Sequence, residues 1–127
     1  MITEDYVSFE TAKLLKEKEF RELCHGYFRK DNQEDLVEVA CGANWNDEPF
    51  FISRPTLQMT MKWLREVHHC VICITPLTFY CGEIVSKWGY CIWADDNTEV
   101  DEESSPRLES YEEACEAAIK YCLENLV

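Results

Sequence analysis

The sequence predicts an α+β fold: a small antiparallel sheet packed against about three helices, in a single domain over residues 1–127. Three observations carry this expectation. A length of 127 residues suits one ordinary core and is short for two. Three segments repeat apolar residues at helical spacing, and the runs between them are short, β-branched or aromatic and bounded by turn residues. With 46% hydrophobic and 29% charged residues, the chain can bury a core and should fold.

Taken in order, Ser8 caps a helix over 9–19, with Phe9, Ala12 and Leu15 on one side and Glu10, Lys13 and Lys16 on the other. "LCHGYFR" (23–29) reads as a short strand followed by the polar turn "KDNQED". "LVEVA" (36–40) and "FFI" (50–52) are further strands, separated by "CGANWNDEP". A second helix over 55–67 takes Ser53 as its cap and Pro55 in its first turn, and Leu57, Met61 and Leu64 build its apolar face. "CVICIT" ends at Pro76 and pairs antiparallel with "WGYCIWA" (88–94), across a long connection with room for a third strand at "TFYCGEIV". The acidic segment at about 95–109 reads as a solvated loop. Ser110 and Glu113 form a capping box for a helix over 111–126, whose Cys115, Ala118 and Cys122 face the core.

Charge and composition exclude several functions. A net charge of −13 repels phosphate backbones, so direct nucleic-acid binding is not expected. No apolar run approaches the length of a membrane span or a signal peptide, so the expected setting is cytoplasmic, where the eight cysteines stay reduced. "DDNTEVDEE" (95–103) holds six carboxylates in nine positions, yet an EF-hand counted from Asp95 would place Val100 at the glycine position and Pro106 at the bidentate glutamate. The glycines Gly26, Gly42, Gly82 and Gly89 form neither a P-loop nor a dinucleotide fingerprint, and no nucleophile-elbow or zincin motif is present. The expectation is a protein without catalytic residues or cofactor.

The one chemically suggestive cluster is "EVHHCVICITP" (66–76), which holds His68, His69, Cys70 and Cys73 as zinc-ligand candidates. Geometry argues against them. The residues inside C-x-x-C are Val71 and Ile72, so on a strand Cys70 and Cys73 point to opposite faces, and His69 and Cys73 lie roughly 13 Å apart. A Cys–His nucleophile is equally unspecific, because most of the thiols fall on predicted core faces. In "WGYCIWA", Trp88, Tyr90 and Ile92 point one way and Cys91 and Trp93 the other. Trp93 and Val71 are therefore the candidate partner-binding residues, for another protein or for a second copy of the chain.

Three stretches, "VSFETAKLLKEKEF" (7–20), "RPTLQMTMKWLREVH" (54–68) and "SYEEACEAAIKYCLENLV" (110–127), together somewhat over a third of the chain, resemble a group of short uncharacterised proteins encoded in prophages and mobile elements of gut bacteria. "KEKEF" carries Glu19 where that group would have glycine. The resemblance implies a phage-linked setting and nothing catalytic. The expected function is binding to a host or phage protein. Two alternatives are an acidic mimic of nucleic acid that inhibits a host nuclease or defence protein, and a small zinc-binding domain.

Overall fold

The computed structural model describes residues 2–29, 32–80, 83–94, 99–100 and 107–127. Its class is α+β: three helices with antiparallel strands. The described strands fall into two sheets rather than one, and the chain clusters into two compact units, 1–59 and 60–127.

In the first unit, α1 (Phe9–Glu17) starts where Ser8 accepts a hydrogen bond from the Thr11 amide at 3.2 Å. It ends two residues before the expected boundary. Glu19 takes the left-handed region at φ 63°, and the Phe20 amide reaches back to the Leu15 carbonyl at 2.9 Å, the closure that glycine usually makes. Strand β1 (Cys24–Arg29) pairs antiparallel with β2 (Asn32–Ala43) on one side and β3 (Phe51–Ser53) on the other. β2 is longer than "LVEVA" suggests and begins inside the expected turn "KDNQED", because Arg29 already pairs with Asn32; residues 30–31 lie outside the described residues. Alternation sends Phe28 and Ile52 to the face that α1 covers, where Phe28 meets Phe9 edge to face at 5.2 Å. Val7, Ala12, Leu15 and Phe20 complete this core, and burying each larger side chain contributes about 1.5–3 kcal/mol.

The other face of that sheet is closed by the segment between β2 and β3. A 3₁₀ turn, Trp45–Asp47, lays the Trp45 ring against Tyr27 at 4.4 Å, and Phe51 packs on Tyr27 at 4.7 Å. Polar groups fix the turn. The Trp45 indole N–H donates to the Cys24 carbonyl at 2.8 Å, and the Asn46 side chain donates to the Phe20 carbonyl and accepts from the Ser53 amide. Residues 5–7 run beside 54–57, and the Arg54 guanidinium stacks over Phe28 and Tyr6.

Helix α2 (Leu57–Val67) begins two residues later than predicted. Its cap is Thr56, whose hydroxyl accepts from the Met59 amide at 3.1 Å; Ser53 is a buried strand residue instead. In the second unit, β4 (Val71–Tyr80) and β5 (Glu83–Trp93) form one long antiparallel pair. The sequence-based third strand at "TFYCGEIV" is corrected by this register: its two halves extend β4 and β5, and Tyr80 faces Glu83. Nor does the strand stop at Pro76. The amide and carbonyl of Trp88, the residue opposite, both bond to Leu108 at 2.8 Å, so the Pro76–Trp88 pair needs no N–H from proline.

β6 (Glu99–Val100) adds to β5. Within the expected loop at 95–109, Glu99–Val100 and Leu108 are thus tethered to β5, while residues 95–98 and 101–106 lie outside the described residues. Helix α3 (Tyr111–Asn125) starts as predicted, with the Ser110 hydroxyl accepting from the Glu113 amide at 3.1 Å. The Glu113 carboxylate reaches back to the Glu109 amide, one residue beyond a regular capping box. α3 lies on β4 and β5, burying Cys115, Ala118, Ile119, Cys122 and Leu123. Trp88 meets Tyr111 edge to face at 5.5 Å, which assigns Trp88, Tyr90 and Ile92 to the α3 side of the sheet.

Candidate functional site

The segment that drew attention in the sequence is a helix-to-strand corner. At the end of α2 the amides of His68 and Cys70 both donate to the Leu64 carbonyl, at 3.1 and 3.0 Å, and His69 between them adopts φ 56°. That left-handed residue turns the chain from helix into β4. The His68 ring packs on Trp63 at 4.6 Å, and burial, with a smaller push from His69, lowers its pKa. The His69 side chain faces solvent.

The C-x-x-C then divides. Cys70 is buried, donates weakly to the His68 carbonyl at 3.6 Å, and neighbours Cys122 on α3. Cys73 points to the opposite face, directly across from Cys91. Burial, and then the neighbouring Cys70, push the Cys122 thiol up to about 12; burial raises Cys115 to about 11. These are packed, protonated thiols. The four zinc candidates His68, His69, Cys70 and Cys73 thus diverge, and among the described residues no three His, Cys, Asp or Glu side chains gather where they could share an ion. Sequence reasoning did not find the pairs Cys70–Cys122 and Cys73–Cys91. The second was accessible in principle, because any antiparallel register placing Val71 opposite Trp93 also places Cys73 opposite Cys91.

Val71 and Trp93, the partner-binding candidates, come together. They are direct cross-strand neighbours at the start of β4 and the end of β5, and each is 38% exposed. On the same face lie Cys73, Cys91 and Leu77, the last folded over Gly89, where an added Cβ would meet Leu77 at 3.3 Å. Gly89 therefore provides the space in which Leu77 lies flat. The result is an apolar strip with an exposed indole at one end and the Lys87–Glu109 ion pair near the other.

A groove of about 250 Å³ in the first unit is lined by Lys13, Lys16, Glu17 and Ile52. Its Lys16 ammonium donates to the Glu48 and Phe51 carbonyls at 3.0 and 2.7 Å, so that charge serves to hold the approach to β3. In the same unit, burial pushes the Cys24 thiol up to about 12 against a smaller opposing effect of the nearby Ser53 hydroxyl. That hydroxyl is buried and does not meet hydrogen-bond geometry with any described group. No family model, curated protein or solved structure matches the chain. No helix among the described residues is long and apolar enough to cross a membrane.

Proposed function

We propose that this chain is a non-enzymatic, phage- or mobile-element-type protein that binds another protein through the outer face of the β4–β5 pair. The observation that carries the reading is the exposed Val71–Trp93 pair, because a Trp beside a β-branched residue on an open sheet face is the kind of aromatic anchor that interfaces use. The partner's chemistry follows from charge. With 25 acidic and 12 basic residues, the chain suits a host or phage protein with an apolar patch inside a basic rim.

Capture from bacterial host lysate on wild type and on Trp93→Asp tests this, with Phe50→Asp as a control at an exposed aromatic in the first unit. A basic protein retained by wild type and by Phe50→Asp but lost with Trp93→Asp supports the reading. Identical capture by all three overturns it. The charge balance also favours a second reading, an acidic mimic occupying a basic groove of a nuclease or defence protein. Salt separates the two. A mimic releases its target as ionic strength rises, whereas binding through the Trp93 anchor persists at salt that screens charges beyond about 3–8 Å.

A further inference from the structure

We infer that the free edge of β4 is a self-association site, at which two copies of the chain pair antiparallel about a two-fold axis at Cys73. The inference concerns the strand edge rather than its face, and stands whether or not Trp93 binds a partner. In the sheet order β4–β5–β6, β4 is a terminal strand of ten residues, and among the described residues no strand pairs with its other side. Exposed edges of that length are ordinarily blunted by charges, proline or bulges; in β4, Pro76 and the register shift between Leu77 and Phe79 fall in the second half of the strand, leaving Val71 to Thr75 regular. Here eleven consecutive residues, Cys70 to Tyr80, carry no charge in a chain of net charge −13. Two copies therefore meet with least repulsion along this strand.

Hydrogen-bond parity selects the register. Trp88 uses its amide and carbonyl on Leu108, so Pro76–Trp88 is a non-hydrogen-bonded pair of the β4–β5 ladder. Counting back in alternation, Ile74–Tyr90 and Ile72–Ile92 are also non-hydrogen-bonded, whereas Cys73–Cys91 and Val71–Trp93 are hydrogen-bonded. The backbone groups of Ile72, Ile74 and Pro76 thus point to the open edge. Pro76 has no N–H, and the Cys70 amide is held by the Leu64 carbonyl, which leaves Ile72 and Ile74 as the adjacent residues able both to donate and to accept. A two-fold pairing that uses both sets Ile72 against Ile74 of the second copy and Ile74 against Ile72. Cys73 then faces its own counterpart on the axis.

The Cys73 pair across the axis would be non-hydrogen-bonded, with Cα atoms about 4.5 Å apart, within disulfide reach. Cys73 and Cys91 within one copy form a hydrogen-bonded pair, whose wider Cβ spacing of about 5.5 Å exceeds the roughly 3.5–4.5 Å that a disulfide needs. Oxidation should accordingly join two chains in preference to bridging one. A ladder of two residue pairs is a small interface, so the association is weak and concentration-dependent, and salt that screens the charge of each copy should strengthen it.

The test uses the full chain with Cys41→Ser, which removes an exposed thiol, treated with a diazene oxidant such as diamide. The two Cys73 thiols lose two protons and two electrons to the diazene, which becomes the hydrazine, and one S–S bond forms. The expected result is a reducible band at twice the 15.0 kDa chain, mapped by mass spectrometry to Cys73–Cys73, kept with Cys91→Ser and lost with Cys73→Ser. Sedimentation without oxidant gives the non-covalent measure. Ile74→Pro removes an edge donor that the β4–β5 ladder does not use, and should weaken dimerisation at least tenfold in a chain whose circular dichroism shows it folded. A monomer at every concentration and salt, a Cys73–Cys91 bridge in place of the dimer, or a disulfide-linked dimer that survives Cys73→Ser would each overturn the inference.

Discussion

The two sheets present one aromatic residue each under opposite conditions. In the first unit Trp45 lies over Tyr27 and Phe51, with its indole N–H bonded to the Cys24 carbonyl, so the chain closes that sheet face with its own 3₁₀ turn. In the second unit α3 covers one face of β4–β5, and Trp93 stands on the other beside Val71, more than a third exposed. A half-buried indole with its polar atom satisfied and its ring packed on two others contributes to folding. One left on an open face contributes little to folding and is available for recognition. The difference separates a structural aromatic from a functional candidate.

The largest expected effect is at Trp45. Trp45→Ala removes two ring contacts and leaves the Cys24 carbonyl without its donor, and should cost about 3 kcal/mol in denaturant unfolding. Trp93→Ala, measured in the same way, should stay within about 1 kcal/mol. Equal costs would remove the contrast and make Trp93 a structural residue. Next comes the covered face of the second sheet. Cys122→Ser places a hydroxyl against the Cys70 thiol in a site closed to water, and should cost about 1–3 kcal/mol. Labelling supplies the independent check: Cys115 and Cys122 should react with a maleimide only after denaturant is added, whereas exposed Cys41 reacts at once.

Alkaline pH probes the buried thiols together. Cys24 and Cys122 are raised to about 12 and Cys115 to about 11, from an ordinary value of 9.0 that they regain on unfolding. A raised folded pKa means that the stability linked to these thiols is complete below pH 9 and is lost as pH rises toward 11–12, because the unfolded chain releases protons that the folded chain retains. The denaturation midpoint should fall progressively above pH 9, and less steeply in Cys122→Ala, which has one fewer buried thiol to ionise. The smallest effect is at the end of α1. Glu19→Gly relieves the positive φ and should stabilise the chain by about 1 kcal/mol, seen as a higher melting temperature.

Much of the fold was legible because local chemistry set it. Ser8 and Ser110 cap the helices they were expected to cap, and Cys115 and Cys122 face inward because helical spacing leaves them no other side. The divergence of Cys70 and Cys73 followed from strand alternation alone, once "CVICIT" was read as a strand. Legibility failed where a nonlocal partner decided. Pro76 reads as a strand end until Leu108 is seen to take the hydrogen bonds of Trp88, and Ser53 reads as a cap until β3 claims it and Thr56 takes the role.

The α+β class, the helix faces and the strand faces can be read from the chain alone, since these depend on periodicity and on side chains within a few residues of one another. The division of strands into two sheets, the register that sets Val71 beside Trp93, and the packing of Trp45 on Tyr27 came from contacts made in the folded chain. The physical reason is that a strand's hydrogen bonds are made to residues far along the chain. Its pairing and the cover on each face are therefore set by which distant segment arrives, which no local pattern encodes.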